Sequence, residues 1–126
     1  MAVKKATLAG KGGTPKVEII FGFAHSAKFE FFLYDAQRRN PVKFAEGVNS
    51  DDIPDIFDIG NPGPVTALNG CTLFWQAAIA SATSAPGQQY MVHVRVMQDG
   101  KLAGADDNTG PLSNPPPFGF IRLEVV

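Results

Sequence analysis

Disulfides, membrane spans and any strong charge bias are missing from this 126-residue chain. Cys71 is the only cysteine, so no internal disulfide forms and the fold must rest on its core. No apolar run approaches the ~20 residues of a spanning helix. The opening MAVKKATLAGKGG has lysines but no apolar leader core, so the default expectation is a cytoplasmic protein, with an exported mature form as the alternative. A net charge of −1 gives no electrostatic footprint for nucleic acid or acidic membranes. Histidine is scarce as well: only His25 and His93 are present. Two scattered histidines and one cysteine match no zinc-ligand spacing.

What the chain does have is phenylalanine, glycine and proline, at 10, 13 and 10 residues. The hydrophobic fraction of 44% is that of a globular protein, and the length suits a single domain, residues 1–126. Most of the phenylalanines are expected in its core. The dominant period is two. Val17, Ile19, Phe21 and Phe23 alternate with Lys16, Glu18, Ile20 and Gly22. Similar alternation runs through Phe29–Tyr34, Cys71–Ile79, Tyr90–Met97 and Phe120–Val125. Such alternation marks strands with one face on a core. Several second faces are also apolar, at Phe32, Phe74, Met91 and Met97, which points to cover by a loop or a partner.

Strands are expected over 2–8, 16–24, 27–35, 42–45, 55–59, 65–68 or 71–80, 88–98 and 118–126. WQAAIASA, from Trp75 to Ala82, has helix-forming alanines but continues the TLFW run and is assigned to strand. Asp99-Gly100, between strand residues, predicts a two-residue type I′ hairpin with a short return strand over Lys101–Ala103. The segments 46–64 and 103–117 are left as long loops. About seven or eight strands at this spacing predict an all-β, antiparallel two-sheet sandwich of immunoglobulin-like or jelly-roll type. PGQQYMVHVRVMQDGK, Pro86–Lys101, resembles the late strand of bacterial immunoglobulin-like or fibronectin-like domains. That resemblance implies a sandwich and carries no functional residues.

The densest polar feature is NSDDIPDIFDIGNPGP, which places Asp51, Asp52, Asp55 and Asp58 within eight residues. A second oxygen-rich cluster, Asp106, Asp107 and Asn108, lies in GADDNTG. Calcium takes six to eight oxygen ligands, so two such loops meeting at one end of a sandwich would form a calcium site. The spacing does not match an EF-hand loop. Ile53, Ile56, Phe57 and Ile59 interleave with the first acids, which equally fits a helical turn anchored on the core with its acids in water. GKGGT, Gly10–Thr14, resembles part of a phosphate-binding loop, but Pro15 and a strand follow where that loop needs a helix. Asn114–Phe118, with three consecutive prolines, reads as a stiff lead-in to the last strand. Cys71 shares the apolar face of Leu73 and Trp75, as an inert buried thiol does.

No catalytic constellation emerges from these residues. The leading expectation is a non-enzymatic binding or structural module that acts through its surface and forms a homo-oligomer or binds a protein partner. The alternatives are a calcium-dependent carbohydrate-binding domain and a small enzyme using His25 or His93.

Overall fold

The computed structural model describes residues 3–22, 26–49, 53–59, 64–80, 87–112 and 115–126. Nine strands form two sheets: β1 (Lys4–Leu8), β2 (Lys16–Phe21), β3 (Ser26–Tyr34), β4 (Val42–Asn49), β5 (Asp55–Asp58), β6 (Thr72–Ala80), β7 (Gln89–Gln98), β8 (Lys101–Pro111) and β9 (Phe118–Val125). The five-stranded sheet has the order β1-β9-β6-β3-β4, and the four-stranded sheet the order β5-β2-β7-β8. All neighbours are antiparallel except β1 and β9, which run parallel. This is the expected all-β sandwich. Among the described residues no helix is long and apolar enough to cross a membrane.

The period-two pattern does what it predicts. Val17, Ile19, Phe21, Phe29, Phe31, Leu73, Trp75, Val92, Val94, Val96, Ile121 and Leu123 form the core between the sheets, each at most 2% exposed. Inside, Phe29 touches Phe21, Phe31 and Phe57, and Phe44 stacks on Phe31. WQAAIASA is strand as far as Ala80, because each residue from Thr72 to Ala80 pairs with β3. Asp99 and Gly100 have φ of 51° and 76°, the two positive values a type I′ turn requires.

Three expectations are corrected. Val65–Leu68 is one turn of 3-10 helix, not strand. The supposed loop 46–64 begins as strand, since β4 continues to Asn49. The supposed loop 103–117 is largely strand, because β8 pairs with β7 from Gln98↔Lys101 to Gln89↔Pro111. The tight turn sets the first two pairs, the register shifts once between Val96 and Met97, and the pairing beyond satisfies backbone groups whatever the side chains are.

One polar pair crosses the sandwich. Trp75 Nε1, on β6, donates to Asp106 Oδ2, on β8, at 2.9 Å, and both residues are buried. Opposite Trp75 on β9 stands Gly119, where a Cβ would collide with the Asp106 carboxylate and the indole. On the same side of the sandwich, a Cβ at Gly104 of β8 would collide with the Lys5 carbonyl and Ala6 of β1. The two sheets thus close on each other along the β1/β8 side.

Removing a partner from a buried hydrogen bond costs about 1–3 kcal/mol. Asp106→Ala is therefore expected to lower unfolding free energy in urea by about that amount, and Asp106→Asn, which keeps an acceptor for the indole, by less. Gly119→Ala should destabilise as well, by overpacking of about 1–3 kcal/mol.

Candidate functional site: the aromatic face of the five-stranded sheet

Strand pairing brings together on the outer face of this sheet residues far apart in sequence. Phe32 lies opposite Phe74, and Phe74 opposite Phe120, so one ring from each of β3, β6 and β9 stands in a row. One step along, Tyr34 lies opposite Thr72, and Thr72 opposite Arg122; one step the other way, Gln76 lies opposite both Glu30 and Phe118. Phe74 is the hub, with ring centroids at 5.9 Å from Phe32, 6.4 Å from Tyr34, 6.1 Å from Phe118 and 5.0 Å from Phe120. Phe118 and Phe120 meet edge to face at 6.1 Å. These five rings are half-buried by one another, except Phe118, which is 42% exposed.

The expectation of phenylalanines mostly in the core is thus corrected. Phe21, Phe29 and Phe31 are buried, Phe44 and Phe57 pack partly against them, and Phe32, Phe74, Phe118 and Phe120 face outward. Phe23 lies outside the described residues.

The surroundings are polar. Lys43 bridges Glu46 at 3.1 Å and Glu30 at 3.5 Å, and these two carboxylates, Glu46 first, raise its pKa. Lys5 pairs with Glu124 at 3.4 Å. Beside the rings is a shallow depression of about 310 Å³, lined by Lys28, Glu30, Gln76, Ala77, Ala78 and Pro116. Pro116 belongs to the proline run, whose described residues 115–117 lead directly into β9; Asn114 lies outside the described residues.

The opposite outer face differs in kind. There Lys16 pairs with Asp58 at 2.6 Å and His93 Nδ1 meets Asp107 Oδ1 at 2.5 Å. Glu18 lies opposite Arg95 in the ladder.

The described acidic residues do not converge as a calcium site requires. Asp55 and Asp58 are in β5 and Asp106, Asp107 and Asn108 in β8, the two outer strands of the four-stranded sheet. Three inter-strand spacings, about 14 Å, separate them. Ligands of one calcium ion each lie within about 2.6 Å of it. Within each strand the odd spacing also puts Asp55 and Asp58, and likewise Asp106 and Asp107, on opposite faces. Each already has another partner. Asp55 accepts from Asn49 Nδ2 at 2.7 Å, and Asn108 Oδ1 accepts from the Tyr90 hydroxyl at 2.7 Å. Among the described residues no three His, Cys, Asp or Glu side chains are grouped to hold a metal. Asp51, Asp52 and His25 lie outside the described residues. DIFD is strand rather than a helical turn, so only Phe57 and Ile59 reach the core, while Ile53 and Ile56 are exposed.

No hydroxyl or thiol is hydrogen-bonded to His93 among the described residues. Cys71 is buried, contacts the Ala67 carbonyl at 3.7 Å and lines a pocket of about 210 Å³ that also contains Asp35. Burial, and then the Asp35 charge, push its thiol pKa up. In the segment resembling a phosphate-binding loop, the Gly13 N–H donates to the Asp99 carboxylate, and Gln98 bonds Ala9 and Gly13.

Asp35 organises the β3–β4 turn. Its Oδ1 accepts the N–H groups of Arg39 at 2.8 Å and Gln37 at 3.0 Å, and its Oδ2 accepts Asn40 Nδ2 at 2.9 Å. The Arg39 N–H is the largest cause holding this carboxyl below its ordinary pKa.

No protein-family model matches this chain, and comparison with curated proteins and with solved structures gives no match.

Because the folded-state pKa of Asp35 is depressed, its stabilising effect is full above the ordinary carboxylate range and is lost as pH falls through the folded value. Asp35→Asn should therefore be less stable than wild type at pH 7, with the gap closing as pH drops below about 4. Urea titrations at both pH values measure this. The same variant removes a charge that raises the Cys71 pKa, so its thiol should react faster with a disulfide reagent at pH 8, though still far slower than in unfolded protein.

Proposed function

We propose that this chain is a non-enzymatic binding module whose working surface is the outer face of the five-stranded sheet. The observation that carries this reading is the contiguous cluster of Phe32, Tyr34, Phe74, Phe118 and Phe120 on a face directed at solvent. Aromatic side chains packed together on a surface leave apolar area in water, and the largest such patches on proteins commonly mark interaction sites. An aromatic centre with charged groups at its margin is also the composition of protein–protein contact surfaces. The partner this anatomy suits is another protein surface, including that of its own copy. The outer face of the other sheet mixes its ion pairs with Ile20, Ile56, Met97 and Leu102, and no cluster of phenylalanine or tyrosine rings is found there among the described residues. Among the described residues the calcium-dependent carbohydrate reading has its acids on opposite edges of one sheet, and the enzymatic reading has His93 paired to Asp107 with no hydroxyl or thiol bonded to it; neither offers an observation as direct as the aromatic cluster.

The availability of the face is testable without knowing the partner. On protein diluted until its mass in solution is that of one chain, an apolar fluorescent dye should bind wild type, and Phe118→Lys should reduce that binding several-fold. Equal binding by both proteins would remove the reading.

A further inference from the structure

Resting on that reading, we infer that the partner of the aromatic face is a second copy of this chain, packed face to face about a twofold axis. Register, area and charge support it together.

Register gives self-complementarity. Two sheets facing each other are related by a twofold lying between them, and here that axis runs across the strands over the row Phe32, Phe74 and Phe120. Each of these rings then faces its own counterpart. The row on one side of the axis is carried over the row on the other side. Thr72 comes to lie over Gln76, Tyr34 over Glu30, and Arg122 over Phe118. Thr72 is buried within its own chain, so two of these pairs carry the contact: a phenol donor with a carboxylate acceptor, and a guanidinium with a ring face. Glu30 also lines the depression of about 310 Å³, so the Tyr34 ring of one copy is set over a recess of the other. Among the described residues neither the Arg122 guanidinium nor the Gln76 amide has a side-chain hydrogen bond or ion pair within its own chain.

Area is adequate only if the rim takes part. Five strands at ~4.8 Å spacing and roughly 25 Å long present on the order of 500–600 Å² in projection. Side-chain relief brings this near the roughly 800 Å² per partner of a standard stable interface. The aromatic centre alone covers only part of that, so the polar margin must be buried with it. Charge permits this: Lys43 lies between Glu30 and Glu46, Lys5 pairs with Glu124, and Lys28 and Arg122 add positive charge on the same face, so the signs are interspersed and no block of one sign repels its copy.

Sedimentation equilibrium on the whole chain over a range of concentrations tests the inference. Wild type should reach twice the single-chain mass of 13.5 kDa. Phe118→Lys and Arg122→Glu should each raise the dimer dissociation constant at least tenfold, with circular dichroism showing that both remain folded. Ile56→Lys, at an exposed position on the other sheet, should leave it unchanged. A wild type of single-chain mass at every concentration up to about 1 mM overturns the inference. If the dye still distinguishes wild type from Phe118→Lys, the binding face survives and takes a different partner; if it does not, both readings fall. A dimer that persists in Phe118→Lys and Arg122→Glu, or one that Ile56→Lys disrupts, places the contact elsewhere and also overturns it.

Discussion

The indole of Trp75 reaches from the five-stranded sheet to a carboxylate on an edge strand of the other sheet. That strand, β8, has few apolar side chains of its own with which to hold its place. Apolar packing is not directional and would let an edge strand shift along its neighbour. A single buried donor–acceptor pair penalises every register but one, because each shift leaves both groups unsatisfied. Gly119 belongs to the same device, since any side chain there would occupy the place of the bond. With β8 held, Gly104 can meet β1 backbone to backbone, and the sandwich closes along that side. On the opposite side, Asn49 of β4 and Asp55 of β5 are linked by a hydrogen bond.

The contrast between the outer faces follows from the same architecture. A sandwich needs only one apolar face per sheet. On the four-stranded sheet the second face intersperses aliphatic side chains such as Ile56, Met97 and Leu102 with charges paired across strands. On the five-stranded sheet it carries aromatic rings that shield one another and are cheap to desolvate in place of water. Those rings lie outside the core, which is packed by the inner cluster around Phe29 and Phe31.

Alternation made most of the strands legible from the residues alone, and Asp99-Gly100 announced its hairpin because few residue pairs tolerate two positive φ values. Strand β8 was not legible: GADDNTG shows no apolar period, and it is extended because β7 has an edge to pair. The acidic clusters looked like neighbours because sequence shows how many oxygens there are and not which edge they occupy. The aromatic face was half legible. Phe32 and Phe74 stand out as apolar on the second parity of their strands. That they share a row with Phe120 depends on long-range registers that no local pattern encodes.

The turn over Gly10–Gly13 has a consequence for anions. A glycine-rich turn with an exposed N–H attracts phosphate when that group is free, but here the Asp99 carboxylate is already bonded to the Gly13 N–H. The carboxylate is tethered to the adjacent hairpin, so its effective concentration at that N–H is far higher than that of a small anion in solution. The loop therefore carries its own resident competitor, which makes it a latch between two turns rather than a receptor.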